Sequence, residues 1–141
     1  MLQSANPAQA SRQTFDASFA KAAGLLDTDP RLALGEARAM LHIAPGHPVA
    51  LLVEAQAMRR CGQAEAALAR LDKLVAKEPR MFGAIWELAQ IASETGDSTK
   101  AVAALESLTR QQPAIATGWF LLAKELRRLG REHDAWRAEL S

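Results

Sequence analysis

The sequence predicts an all-α protein, an α-solenoid of about four antiparallel helix hairpins, because three residue types recur at one interval. Alanines, glycines and prolines each return every 34 residues, at fixed offsets from one another. The positions are Ala33, Ala67, Ala101 and Ala135; Gly62, Gly96 and Gly130; and Pro45, Pro79 and Pro113. Three residue types in phase indicate one helical unit copied along the chain.

The third unit, residues 82–115, shows the pattern of a helix hairpin. Its first helix is predicted from apolar residues at helical spacing, namely Ile85, Leu88, Ala89 and Ala92. Gly96 ends that helix, since glycine readily adopts the left-handed cap. Asp97 is a good N-cap for the second helix, and Pro113 stops it.

The same pattern divides the rest of the chain into units at 14–47, 48–81 and 116–141. The first unit is degenerate, because Asp27-Thr28-Asp29-Pro30 replaces its glycine turn. Asp29 as N-cap with Pro30 at the first helical position still predicts a helix start. Residues 1–13 lack periodicity and are predicted to form a flexible arm or a poorly ordered extension of the first helix.

The recurring alanine predicts close helix crossings, where only a small side chain fits. At the other end, the fourth unit stops about one turn short of a full second helix, and no polar capping helix follows. Its apolar residues are therefore expected to be only partly covered: Leu122, Leu126, Trp136 and Leu140. This predicts either a piece of a longer protein or a homo-oligomer formed through the C-terminal end.

Composition and charge disfavour several functional classes. The net charge of +1 provides no field for nucleic acid or for a membrane surface, and no apolar run approaches the length of a spanning helix. A single cysteine excludes an internal disulfide framework, and the N-terminus does not read as a signal peptide. These features predict a cytoplasmic protein of bacterial composition that binds neither nucleic acid nor membrane.

The repeat resembles the tetratricopeptide repeat. Its pattern is matched in the third unit by Ile85, Leu88, Ala89, Gly96, Ala101 and Pro113. The resemblance covers residues 14–141 and implies a right-handed superhelix that acts as a general protein-binding scaffold. Glu54 stands where the family usually has leucine, so its carboxylate must reach solvent or a basic neighbour.

A weaker resemblance concerns residues 44–71, which look like the repeat module that precedes the catalytic domain of bacterial sulfotransferases. No sulfotransferase domain is present in this sequence. That resemblance implies an alternative function, a non-catalytic regulatory or oligomerisation module of a larger enzyme.

The first helices are expected to line a concave groove, and one stripe of each helix at helical spacing faces it. The second, third and fourth units each have a large apolar residue at the fifth position and a polar residue at the ninth. The predicted ligand-binding residues are Leu52, Gln56, Arg59, Trp86, Gln90, Phe120, Lys124 and Arg127. An apolar floor with a basic rim suits a peptide or helix that has apolar anchors and acidic residues.

Two other interpretations of this stripe stay open. Trp86 and Phe120 could pack against neighbouring first helices, or the groove could hold the chain's own N-terminal arm with Phe15 and Phe19. The family's clamp for a C-terminal carboxylate is missing, so no selectivity for free peptide C-termini is predicted. The corresponding places hold Ser18, Ala22, Val53, Gly83 and Glu87.

The sequence contains no pattern that predicts catalysis or a cofactor. His42 and His47 flank a Pro-Gly turn, but metal-ligand spacing is lacking. Cys61 has Arg59 and Arg60 nearby, which could lower its pKa, although a structural thiol is the favoured interpretation. We therefore expect no enzyme activity, no metal and no cofactor.

Overall fold

The computed structural model describes residues 7–141, apart from the side chains of residues 8 and 11. This part of the chain contains helices and turns and no β-strand. The helices are α1 (Pro7–Leu25), α2 (Pro30–Ile43), α3 (Pro48–Arg60), α4 (Ala64–Lys77), α5 (Phe82–Glu94), α6 (Ser98–Gln111), α7 (Ala116–Arg128) and α8 (Glu132–Glu139). The predicted all-α class, with about four helix hairpins, is confirmed.

The chain forms two compact units, which are described separately. Unit 1 extends to Ala67, and unit 2 comprises Leu68–Ser141. In unit 1, α2 packs against both α1 and α3. In unit 2, α5 packs against α6, α6 against α7, and α7 against α8. Within each unit, the recorded contacts are mostly between helices that follow one another in sequence, as expected for helix hairpins.

The turn inside the α5–α6 hairpin has the predicted chemistry. Gly96 has a φ of +84°, and the Asp97 amide donates to the Ala92 carbonyl at 2.8 Å. Asp97 then caps α6, since its carboxylate accepts a hydrogen bond from the Lys100 amide at 3.1 Å. A left-handed glycine followed by an N-cap residue thus reverses the chain within three residues.

The recurring alanines belong to the buried core. Ala33, Ala67, Ala101 and Ala135 are all fully buried. A second fully buried series lies on the first helices: Ala22, Ala55, Ala89 and Ala123. The last three are 34 residues apart, but Ala22 precedes Ala55 by only 33.

The first hairpin therefore departs from the 34-residue register by one residue. The Asp29 amide donates to Leu25, four residues earlier, whereas the Asp97 amide reaches back five residues to Ala92. The turn that contains Asp27-Thr28-Asp29-Pro30 is thus one residue shorter than the glycine turns. In consequence, each place on α1 is taken by the residue one further along the chain than the 34-residue period predicts; Ala22, for example, takes the place of residue 21.

The predicted flexible arm lies partly in α1. Residues 7–13 form the first turns of this helix, while residues 1–6 lie outside the described part of the chain. Farther along α1, Phe15 packs against a buried cluster in unit 1, and its ring centroid lies 4.5 Å from that of His47. The members of the cluster are Ala22, Ala37, Met40, Ala50 and Val53.

Candidate functional site

Three predicted binding residues lie on α3 in unit 1. Leu52, Gln56 and Arg59 are all half-buried, and they share one flank of the helix because they are separated by four and three residues. The Gln56 carbonyl also accepts a hydrogen bond from Arg60 Nη1 at 3.3 Å. The same guanidinium donates a second hydrogen bond, from Arg60 Nε to Asp27 Oδ1 at 3.0 Å.

Phe19 is a residue of this flank that the sequence prediction missed. Once α1 is shifted by one residue, Phe19 and not Ser18 takes the place that Leu52 has on α3. Phe19 is partly exposed, whereas Ala22, which the uncorrected 34-residue period puts level with Gln56, is fully buried. We name Phe19, Leu52, Gln56 and Arg59 the unit-1 face. The shortened turn before Pro30 is the sequence signal that could have located Phe19.

The remaining predicted residues lie on α5 and α7 in unit 2. Trp86 and Gln90 on α5 are half-buried, and Lys124 on α7 is exposed. Phe120 occupies the place on α7 that Trp86 has on α5, and its side chain is 72% exposed. We name Trp86, Gln90, Phe120, Lys124 and Arg127 the unit-2 face. It combines two aromatic rings with positive charge.

Arg127 is less available to a ligand than the sequence suggests. Its guanidinium pairs with the Glu139 carboxylate on α8, and its Nε lies 3.7 Å from Glu132 Oε2. The hydrogen bond that Arg127 donates to the Glu139 carboxylate raises the pKa of Arg127 above its ordinary value, and the negative charges of Glu139 and Glu132 add to that effect. Arg127 therefore helps to hold α8 against α7.

A polar cluster joins α5 to α7 beside the unit-2 face. The Ser93 hydroxyl donates to Glu125 Oε1 at 2.5 Å, and Arg128 Nη1 donates to the same oxygen at 3.0 Å. Arg128 Nη1 also donates to the Ser93 carbonyl at 3.2 Å. These contacts fix the half-exposed guanidinium of Arg128 in an ion pair with the buried Glu125 carboxylate.

The structure shows how the predicted carboxylate at Glu54 is accommodated. Glu54 is buried in α3, and its Oε2 lies 3.7 Å from the Nε of Arg38 on α2. The carboxylate thus meets a basic neighbour from the adjacent helix, one of the two outcomes that its position allows.

The open end of unit 2 contains a groove of about 520 Å³, which we name the terminal groove. It lies between the start of α7 and the end of α8, and its lining includes Ala116, Trp119, Phe120 and Ala138. Trp119 Nε1 donates to the Pro113 carbonyl at 2.8 Å, so its indole is fixed in the wall. Sequence reasoning did not identify Trp119 as a surface residue.

The apolar end predicted for the fourth unit is only partly as expected. Leu122 and Leu126 are buried, so the expectation that they would be partly covered is wrong. They lie on α7, which packs against α8. Trp136 and Leu140 are 56% and 67% exposed, respectively. The exposed large apolar residues of the fourth unit are therefore Phe120, Leu129, Trp136 and Leu140.

His47 and Cys61 lie at the two ends of α3. His47 is the N-cap of α3, since its Nδ1 accepts a hydrogen bond from the Val49 amide at 3.2 Å. Cys61 is the half-buried C-cap residue of the same helix. Within residues 7–141, the side chains that are described form no group of three or more potential metal ligands. No helix in that range combines the length and the apolar character needed to cross a bilayer.

Comparison with known families identifies the repeat. Residues 62–124 match the family model described as tetratricopeptide repeat. That segment runs from the turn before α4 into α7 and includes Gly62, Ala67, Gly96, Ala101 and Pro113 of the 34-residue pattern. For that segment, the match supports the resemblance that the sequence predicts. No curated protein matches the chain.

Solved structures show the same fold at low sequence identity. The MamA double mutant named RS-1 ArsTM has a TM-score of 0.80 and 18% identity, over 89% of this chain and 71% of that one. MamA 41-end from Desulfovibrio magneticus RS-1 has a TM-score of 0.77 and 18% identity, over 90% and 74%. A tetratricopeptide repeat protein from Parabacteroides merdae has a TM-score of 0.78 and 17% identity, over 89% and 51%.

Proposed function

Because residues 62–124 are tetratricopeptide repeats, we propose that this chain is a protein-binding module that acts by holding a peptide or helix rather than by catalysis. The observation that supports it is the 72% exposure of Phe120, on a helix that neighbours the one carrying the half-buried Trp86. A phenyl ring left in water is costly, and large aromatic side chains dominate binding surfaces. The unit-2 face is therefore the main candidate.

The basic side chains near the two rings favour a partner that carries acidic residues. Lys124 is exposed, and Arg128 is fixed by Glu125 and Ser93 with almost half of its side chain accessible. A partner that inserts apolar anchors and carries acidic residues beside them complements this arrangement. Metal or cofactor binding has no part in the proposal.

The unit-1 face supports the same function by itself. Phe19 and Leu52 occupy equivalent places on α1 and α3, and Arg59 adds a basic side chain on α3. The alternative suggested by residues 44–71, a module of a larger sulfotransferase, stays a prediction.

A peptide selection followed by calorimetry tests the proposal. The 141-residue chain is used to select binders from a random peptide library, and the enriched peptides are titrated against Trp86→Ala and Phe120→Ala. We expect each substitution to weaken binding by about tenfold or more, because an aromatic anchor contributes roughly 2 kcal/mol. Leu32→Ala is the matched control, since Leu32 is an exposed apolar residue on α2.

Two results would contradict the proposed site. Peptides that bind Trp86→Ala and Phe120→Ala as tightly as the unmodified chain would place binding elsewhere. Enriched peptides without apolar residues would contradict the role of the aromatic rings.

A further inference from the structure

Two equivalent arginines are the last residues of α3 and α7, and both are attached to the scaffold through Nη1. Arg60 and Arg128 are 68 residues apart, twice the repeat period. Arg60 Nη1 donates to the Gln56 carbonyl at 3.3 Å. Arg128 Nη1 donates to Glu125 Oε1 at 3.0 Å and to the Ser93 carbonyl at 3.2 Å. A guanidinium carries its N–H donors in a rigid fork, so this attachment fixes the direction of the remaining donors on Nε and Nη2.

In unit 1, the Nε side of the arginine binds a carboxylate. Arg60 Nε donates to Asp27 Oδ1 at 3.0 Å, and the two side chains form an ion pair. Asp27 lies in the turn between α1 and α2, and its side chain is 86% exposed. The carboxylate therefore reaches Arg60 from the solvent side, which shows the kind of group that complements an arginine at this place in the repeat.

In unit 2, the same side of the arginine is open. The hydrogen bonds and the ion pair that Arg128 makes with Ser93 and Glu125 all use Nη1. Among the described residues, Nε and Nη2 of Arg128 therefore have no partner, and 44% of the side chain is exposed. These two nitrogens present parallel N–H groups, which match the two oxygens of a carboxylate.

The open guanidinium edge lies in line with the unit-2 face. Phe120, Lys124 and Arg128 follow one another at intervals of four residues, so they share one stripe of α7, and all three are exposed. At a rise of about 1.5 Å per residue, Phe120 and Arg128 are about 12 Å apart along the helix. An extended polypeptide advances about 3.3 Å per residue, so it covers this distance in about four residues.

We propose that the Nε–Nη2 edge of Arg128 binds a side-chain carboxylate of an extended partner segment, about four residues from the apolar anchor at Phe120. The partner then supplies to Arg128 the group that Asp27 supplies to Arg60 within the chain. This inference rests on the proposed function and deepens it, since it assigns one acidic residue of the partner to one side chain. Because Glu125 already pairs with Arg128, the fork contributes more than net charge to this selectivity.

Selection of octapeptides on the 141-residue chain tests the spacing. Peptides of this length are too short to form a stable helix alone, which favours extended binders. We expect the enriched sequences to carry Asp or Glu about four residues from an apolar residue. In calorimetric titrations, changing that acidic residue to its amide should weaken binding about fivefold, because an amide offers one acceptor oxygen where a carboxylate offers two. This comparison uses the unmodified chain, so no change in folding enters it.

A double-mutant cycle tests the assignment to Arg128. Arg128→Lys keeps a positive charge beside Glu125 but removes the fork. It should weaken binding of the acidic peptide about threefold to fivefold and reduce the acid-to-amide effect to less than about twofold. Arg110→Lys is the matched control at an exposed arginine of α6, and it should leave the acid-to-amide effect unchanged. Circular dichroism and chemical unfolding establish that both variants keep the fold.

Three outcomes would overturn the assignment. They are enriched peptides without an acidic residue at this spacing, an amide peptide that binds as tightly as the acidic one, and an acid-to-amide effect that persists in Arg128→Lys. If Trp86→Ala and Phe120→Ala still weaken binding in these cases, the proposed function stands and only the role of Arg128 fails. If those two substitutions also leave binding unchanged, both proposals fail.

Discussion

The Glu125 carboxylate of α7 and the Ser93 hydroxyl of α5 are joined by a 2.5 Å hydrogen bond in a place where neighbouring hairpins are apolar. Glu125 is fully buried, and its counterparts 34 and 68 residues earlier are Ile91 and Ala57, which are also fully buried. The second carboxylate oxygen of Glu125 has no hydrogen-bond partner among the described residues. A buried, incompletely bonded carboxylate is costly to fold.

Replacing Glu125 by isoleucine is therefore expected to stabilise the fold. Glu125→Ile should raise the free energy of unfolding by about 1–2 kcal/mol, because it removes the desolvated carboxylate and restores the side chain found on α5. Chemical denaturation measures the change, and Glu125→Gln separates the loss of charge from the change in shape. A destabilised Glu125→Ile variant would show that the bonds to Ser93 and Arg128 outweigh the cost of burial.

Enlarging a recurring alanine is expected to destabilise the hairpin stack. Ala101→Leu should lower the free energy of unfolding by about 1–3 kcal/mol, since Ala101 is fully buried where α6 meets its neighbours. The matched control is Ala103→Leu at an exposed position of the same helix, where a change within about 0.5 kcal/mol is expected. Equal effects of the two substitutions in thermal or chemical unfolding would contradict the role assigned to the alanine.

Alanine substitutions at two glycines are expected to change the free energy of unfolding in opposite directions. Gly96→Ala should cost about 1 kcal/mol or more, because the φ of +84° is unfavourable for a residue with a Cβ. Gly35→Ala should stabilise by about 0.5–1 kcal/mol, since Gly35 lies inside α2 and an added Cβ meets nothing within 4 Å. Unfolding curves of both variants provide the measurement, and changes of the same sign would contradict this account.

Releasing Arg127 from α8 is expected to strengthen binding of an acidic peptide to the unit-2 face. Glu139→Gln removes a negative charge that pairs with Arg127, which leaves its guanidinium more available. The expected gain is about twofold to fivefold, because exposed ion pairs contribute little. Calorimetry at low and high salt checks it, with Glu65→Gln on α4 as the control; weaker binding at low salt would contradict the prediction.

Most of the fold could be predicted from the residues that recur every 34 positions, because these residues act on the chain next to them. A left-handed glycine such as Gly96, an N-cap such as Asp97 and a small residue such as Ala101 act locally, so their spacing alone predicts hairpin boundaries. The register of α1 could not be predicted in this way, because the turn of the first hairpin lacks glycine and is one residue shorter. As a result, Phe19 and not Ser18 lies on the unit-1 face.

The charged side chains could not be placed from sequence alone. The partner of Glu54 is Arg38 on the preceding helix, and the partner of Arg127 is Glu139 on the following one. Such pairs depend on how helices cross, which the periodicity does not specify. Burial of Glu125 could have been predicted, because this carboxylate lies at the position where two earlier hairpins have Ile91 and Ala57.

The positions of the tryptophans allow this protein to be followed by its intrinsic fluorescence. The chain contains three tryptophans and no tyrosine, so its ultraviolet emission comes almost entirely from the indoles. Trp86 reports on the unit-2 face, Trp119 on the wall of the terminal groove, and Trp136 on the exposed side of α8. Variants that keep a single indole would therefore report peptide binding or unfolding at each of these three places separately, without an attached dye.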